Sequence, residues 1–355
     1  MVKVLLENVA QERRENIKTS KDNFPVVGLE HITPMQIHLT DWSTDKDNTF
    51  TKIFKKGDIL FGRRRAYLKK AALAPFDGIC SGDITVISPI AEKIEPTLFP
   101  FIIQNDDFFD FAIEKSAGSL SPRVKWEHLK TYSFELPSME KQRELAQILW
   151  AAEETKQSYK SLLQKTDDLV KAKFEEMFGF LYGKYIPKWK QYKFNQVITD
   201  MSKFGKKIPK EHYLEEGKYA IVDQSQNYIA GYTNTEDGIY RNIPAIIFGD
   251  HTRCFKYINF PFFLGADGVK LLKTKCKNVN YIFLIEELKQ IPIPNMGYNR
   301  HFKFLSEFPI YLPPLENQEK FANFVQQVEK SKQQLQKSLE QLNATTKALI
   351  NENLK

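Results

Sequence analysis

The feature that most constrains this chain is an internal repeat. LPSMEKQRELAQIL (136–149) and LPPLENQEKFANFV (312–325) lie 176 residues apart. They share Leu136/Leu312, Pro137/Pro313, Glu140/Glu316, Gln142/Gln318 and Ala146/Ala322, and four further pairs are apolar in both copies. Composition shifts at the same two points. Before each proline the chain is rich in Phe, Tyr, Gly, Pro and β-branched residues; after it comes a Glu/Lys/Gln/Leu stretch without proline. A repeat of this kind predicts two copies of one structural unit.

The stretches after the prolines read as long helices. Leu145, Leu149, Ala152, Tyr159, Leu163, Val170 and Met177 follow 4-3 spacing, and Phe321, Val325, Val328, Leu335, Leu339, Leu342 and Leu349 follow it again at the same offset. Apolar residues every 3.5 positions form a coiled-coil seam. The alternative is that each helix lies on its own domain. About 40 residues give ~60 Å of helix. If the helices paired in parallel, residues 180–315 would have to carry the chain back that far, whereas a compact block of that size has a radius of gyration of only ~14 Å. Antiparallel pairing is therefore expected. The predicted division is a globular block 1–138, a helix 139–183, a second block 184–315 and a second helix 316–355. Each block is α+β: GDILFG (57–62), DITVISP (83–89), PAIIFGD (244–250) and GVKLLKT (268–274) read as strands, and 97–115 and 279–290 as short helices.

The excess charge is local. The net of +7 (51 Lys/Arg, 44 Asp/Glu) is that of residues 184–315, with 19 against 12; residues 1–138 carry 19 of each. A basic block suits a polyanion, because binding phosphates releases condensed counterions; a merely soluble basic surface is the alternative. No run of about 18 apolar residues suggests a membrane span. Cys80, Cys254 and Cys276 lie far apart, which fits a reducing cytoplasm better than a disulfide scaffold.

Signals for catalysis are weak. Leu312-Pro-Pro-Leu315 is not the Asn/Asp-Pro-Pro-aromatic motif of amino-methyltransferases, and 179–184 departs from a phosphate-binding loop in spacing and in its last residue. Two Glu-x-Lys triplets, Glu216-Gly-Lys218 and Glu287-Leu-Lys289, have Asp200 and Asp267 upstream, the minimum for a metal nuclease. The six histidines are scattered, so no metal site is expected.

Candidate nucleic-acid contacts are more specific. GRRRAYLKK (62–70) places Arg63, Arg64, Arg65 and Lys69 after a glycine, and the guanidinium fork can bond guanine or phosphate bidentately. SAGSLSPRVKW (116–126) adds Ser119, Ser121, Arg123 and Lys125. In the second block GDHTRCFK (249–256) offers His251, Arg253 and Lys256, and NMGYNRHFK (295–303) offers Tyr298, Asn299, Arg300 and His301. Gln224 and Gln226 of DQSQNYIAGYTN could pair with adenine, or simply shape turns. A protein-only coiled-coil scaffold and a compact nuclease remain rival readings.

FPVVGLEHI (24–32), KGDILFGRRRAYLKKAALAPFDGICSGDITVI (56–87), SAGSLSPRVKW, IIFGDHTRCFKYINFPFFLGADGVKLL (246–272) and LPPLENQEKFANFV resemble the specificity subunits of type I restriction-modification systems. The likeness covers nearly the whole chain. It implies two target recognition domains held by two antiparallel spacer helices forming a coiled coil, with a pseudo-twofold repeat. It also implies recognition of a bipartite double-stranded DNA target by a chain with no catalytic centre and no cofactor of its own. Two methyltransferase subunits using S-adenosylmethionine would make N6-methyladenine, and restriction subunits using ATP and Mg²⁺ would cut. Another multi-subunit restriction system is the narrower alternative.

Overall fold

The structure, a computed structural model, describes residues 1–355 apart from 18–23, 45–47, 184–187, 267, 296, 298 and 355. The chain divides into two compact units: Met1–Ser161 with Gln336–Lys355, and Leu162–Leu335.

The first unit contains β1 (Val2–Leu5), α1 (Leu6–Val9), β2 (Ala10–Glu12), β3 (Val26–Val27), β4 (Lys52–Phe54), β5 (Ile59–Gly62), β6 (Ala71–Leu73), β7 (Gly78–Cys80), β8 (Ile84–Pro89), α2 (Phe99–Ile103), α3 (Asp106–Glu114), α4 (Trp126–Leu129) and β9 (Ser133–Leu136), and the start of α5 (Met139–Phe178). The second contains the end of α5, then β10 (Lys190–Tyr192), α6 (Phe194–Val197), β11 (Ile198–Asp200), β12 (Tyr219–Val222), β13 (Gly231–Thr233), β14 (Ala245–Gly249), β15 (Phe255–Ile258), β16 (Phe262–Leu264), β17 (Val269–Thr274), α7 (Tyr281–Gln290), α8 (Phe302–Glu307), β18 (Ile310–Leu312) and the start of α9 (Leu315–Asn353).

Each unit is α+β, and the two share a plan. The main sheets run β2-β8-β5-β6 and β11-β17-β14-β15. Small sheets β3-β7-β4 and β13-β12-β16 each contain one parallel pair. A two-stranded ribbon ties the entry of each unit to its exit: Val2 faces Leu136 in β1-β9, and Lys190 faces Leu312 in β10-β18.

The apolar runs have a physical reason. Successive side chains of a strand point to opposite faces. In β5, Ile59 and Phe61 enter one core and Leu60 another. In β14, Ile246 and Phe248 enter one core and Ala245 and Ile247 another. Both strands are covered on both faces, so neither alternates with polar residues.

The repeated proline-to-glutamine signature also has a cause. Gln142 Nε2 donates to Pro137 O at 2.8 Å, and its Oε1 accepts from Glu95 N at 2.9 Å. Gln318 Nε2 donates to Pro313 O at 2.7 Å, and its Oε1 accepts from Asn280 N at 2.9 Å. Each buried amide fixes the start of a long helix to its own unit.

Within each unit the two long helices contribute segments of opposite sense. In the first, Leu145 and Leu149 share a core with Leu349, Ile350 and Leu354. In the second, Phe174 and Phe178 pack on Phe321, with ring centroids 5.4 and 5.5 Å apart, and Asp167 accepts from Lys332 Nζ at 2.6 Å. Of the seam residues Leu145, Leu149, Val170, Phe321, Val325 and Val328 are buried, and Ala152, Tyr159, Leu163, Met177, Leu335, Leu339, Leu342 and Leu349 are half-buried. Ile148, Leu162 and Leu169, off the seam, are exposed. Among the described residues no helix is long and apolar enough to cross a membrane.

Candidate nucleic-acid interface

Three loops meet in each unit, held by matching main-chain bonds. In the first unit the β5–β6 turn, the β7–β8 loop and the loop before α4 converge: Arg63 N donates to Asp83 O at 3.0 Å and Val124 N to Arg63 O at 3.0 Å. In the second, Asp250 N donates to Gly268 O at 2.7 Å and His301 N to Asp250 O at 2.9 Å. The frame therefore pairs Arg63 with Asp250, Asp83 with Gly268 and Val124 with His301. The backbone is repeated, and the side chains it carries are not.

In the first unit these side chains are mainly cationic. Arg64 Nε donates to Ser121 Oγ at 2.7 Å and its Nη1 to Asp83 Oδ2 at 3.2 Å. Arg123 Nε donates to Asp83 Oδ1 at 2.9 Å. Burial works to raise the Asp83 pKa, but the hydrogen bonds from Arg123 and Arg64 together hold it below the usual carboxylate range. Arg65 is exposed at φ 55° in the left-handed region, with its N–H donating to Pro122 O at 2.8 Å. Arg63 is half-buried, and its Nε has no partner among the described residues. Ser119 and Lys125 are exposed. Lys69 donates to Asp106 at 2.5 Å, and hydrogen bonds from Lys347 and Lys69 hold the Asp106 carboxyl low.

In the second unit the three loops are joined by a fourth, 223–227. His251 N donates to Gln224 Oε1 at 3.2 Å, Thr252 Oγ1 donates to Gln224 O at 2.6 Å, and His251 Nδ1 lies 3.3 Å from Asn299 O. Gly268 sits at φ +80°, a left-handed conformation in which any side chain would be strained. Gln226 and Arg300 are exposed. Arg253 is half-buried, with Nη1 3.4 Å from Ile293 O. Tyr298 lies outside the described residues.

Two expected contacts are corrected. Lys256 is buried, and its ammonium donates to Asp223 O at 2.7 Å and Asn227 O at 2.5 Å; burial lowers its pKa. It props the amide-rich loop from beneath. His301 is fully buried, with Nδ1 2.9 Å from Asp250 O. It fastens the loop before α8 to the β14–β15 turn. Neither side chain faces solvent.

Sequence reasoning missed the residues that organise the loops. Asp83, Asp106 and Asp250 were not singled out, because their roles depend on contacts 19 to 241 residues away in sequence. Of the Glu-x-Lys groups, Glu287 is buried and accepts from Tyr311 N at 2.5 Å and Tyr182 Oη at 3.2 Å. Asp200 accepts from Lys270 Nζ at 2.9 Å, and Lys218 pairs with Glu236; Asp267 lies outside the described residues. No group of three or more His, Cys, Asp or Glu that could hold a metal ion occurs among the described residues.

This arrangement was compared with known proteins. A solved chain from work on complex assembly and conformational transition of the type I R-M system aligns over 99% of this chain and 97% of its own, with a TM-score of 0.59 and 19% identity. The type I restriction-modification S subunit from M. genitalium aligns over 100% and 96%, with a TM-score of 0.59 and 15% identity. These two likenesses establish the fold. The type I restriction enzyme EcoDI specificity subunit of Escherichia coli is 25% identical over 142 residues, which is 39% of this chain and 30% of that protein. The aligned stretch thus spans less than a third of the curated relative. The profile of the type I restriction modification DNA specificity domain matches residues 10–165 and again 187–344. The chain therefore belongs to the type I restriction modification DNA specificity domain family, with one copy of the domain in each half.

Proposed function

We propose that this chain is the non-catalytic, sequence-reading subunit of a type I restriction-modification complex acting on cytoplasmic DNA. Each globular unit reads one half of a bipartite duplex target through its converging loops. The observation that carries this reading is the repeated backbone frame with different side chains, Arg63 against Asp250 and Asp83 against Gly268. One scaffold presenting two chemistries suits two half-sites of different sequence.

Exposed cations such as Arg65, Lys125 and Arg300 would neutralise phosphates, and Arg64, Arg123 and Gln226 would approach base edges. The long helices form an antiparallel coiled coil that spaces the readers; the opposite senses of their segments within each unit support this. A rod of ~60 Å against ~34 Å per duplex turn suits half-sites about one turn apart. Two methyltransferase subunits would bring S-adenosylmethionine, and restriction subunits ATP and Mg²⁺; no residue of this chain is assigned to those groups.

The test is to exchange residues 184–315 for those of a relative and sequence the methylated adenines made by the complex. One half-site should change and the other persist. If both change, or neither does, modular readout is wrong.

A further inference from the structure

Leu120 is 91% exposed, the most of any large apolar side chain among the described residues. A single apolar residue on a surface ordinarily requires no explanation. This one differs in how it is held and in what surrounds it. Ala117 N donates to Arg123 O at 3.0 Å and Arg123 N to Ala117 O at 2.9 Å, closing the loop at its base. Gly118 turns the chain at φ +114°, a conformation that other residues rarely adopt. Arg65 N donates to Pro122 O, pinning the far side of the tip to the neighbouring turn. The isobutyl group is thus projected on a short, braced loop. The same loop carries Arg123 and exposed Lys125, and it is bonded to Arg64 through Ser121 and to exposed Arg65 through Pro122. Cations on and beside the loop that carries an apolar tip disfavour a purely apolar partner and favour a polyanion with apolar features inside its charged rim. A DNA groove is such a surface, with phosphates outside and thymine methyl groups on the major-groove floor.

Counting back four residues from the matched pair Val124 and His301 places Gly297 where the first unit has Leu120. The two units therefore carry different residues at this point of the frame.

Resting on the reading that the first unit recognises one half-site, we propose that Leu120 is a specificity-determining base contact. It enters the major groove and packs on a thymine 5-methyl group, while Arg65 and Lys125 hold phosphates.

The experiment uses the full chain assembled with its methyltransferase subunits. Binding is measured to a duplex carrying the methylated motif, to an unrelated duplex, and to versions in which each thymine of one half-site is replaced by deoxyuridine, which lacks the methyl group. Leu120 makes no internal packing, so Leu120→Ala should melt at the wild-type temperature. One replacement should weaken wild-type binding about fourfold, the worth of one buried methyl group. Leu120→Ala should bind the unmodified motif that much more weakly and be insensitive to the same replacement. Full thymine sensitivity surviving in Leu120→Ala overturns the assignment, as does an equal loss on every duplex or a wild-type complex insensitive to every replacement. A wild-type complex that binds the motif and the unrelated duplex alike overturns the underlying reading as well.

Discussion

Asp83 stands between Arg64 and Arg123, taking one guanidinium on each carboxylate oxygen, at 3.2 and 2.9 Å. The three come from three loops, so one side chain fixes the relative placement of two arginines that are 59 residues apart in sequence. Asp83→Ala should loosen both arginines and remove a negative charge from the surface. Affinity for unrelated duplex should rise, and the ratio of cognate to unrelated binding should fall about fivefold, or ~1 kcal/mol. Anisotropy titrations on both duplexes at several salt concentrations measure this; an unchanged ratio would show that the two arginines are placed without Asp83.

The two buried glutamines should matter to folding and leave recognition intact. Gln142→Leu orphans Pro137 O and Glu95 N; Gln318→Leu orphans Pro313 O and Asn280 N. Leaving two buried groups unpaired should cost roughly 2–4 kcal/mol in each variant. Urea unfolding gives the loss, and the methylated motif should be unaltered. Wild-type stability in either variant would mean that water replaces the amide.

Glu287 makes stability in the second unit pH-dependent. Burial pushes its carboxyl up to about 8, against weaker opposing hydrogen bonds from Tyr311 N and Tyr182 Oη. The unfolded group titrates near ~4.3. A raised folded value means that folding takes up a proton, so the stabilisation is complete below the unfolded value and is lost as pH rises through about 8. Glu287→Gln removes the titration. Urea midpoints taken at pH 5.5 and 8.5 should fall more for wild type than for the variant; parallel behaviour would show that the carboxyl stays charged throughout.

Removing residues 159–165 and 335–341 together deletes one heptad from each long helix and preserves the seam register. If the helices set the spacing, the rod shortens by about 10 Å, or roughly three base pairs. The nonspecific spacer in the methylated motif should shrink accordingly, as read by sequencing modified adenines. A spacer of the original length would remove the helices from that role.

Much of the fold was legible because its signals are local. The 4-3 spacing from Leu145 and from Phe321, and the apolar runs at Ile59 and Ala245, lie within a few residues of each other and correspond to α5, α9, β5 and β14. The ribbons were not legible. Val2 pairs with Leu136 across 134 residues, and nothing in VKVL names its partner. At the candidate interface the arginine cluster declared itself by density, but burial did not. Lys256 read as a surface residue because lysine usually is, and His301 because it follows a polar loop; only tertiary packing placed them inside. Leu120 drew no notice because its loop was read for its hydroxyls and cations alone, and its exposure shows only in three dimensions.

The main-chain bonds that join Arg63 to Val124 and Asp250 to His301 are made by peptide groups that every residue but proline can supply. Exposed positions on those loops can therefore vary while buried ones such as His301 and Lys256 keep the frame standing. Change is cheap at the rim and dear beneath it, so each half can acquire a new preference through a few outward-facing positions.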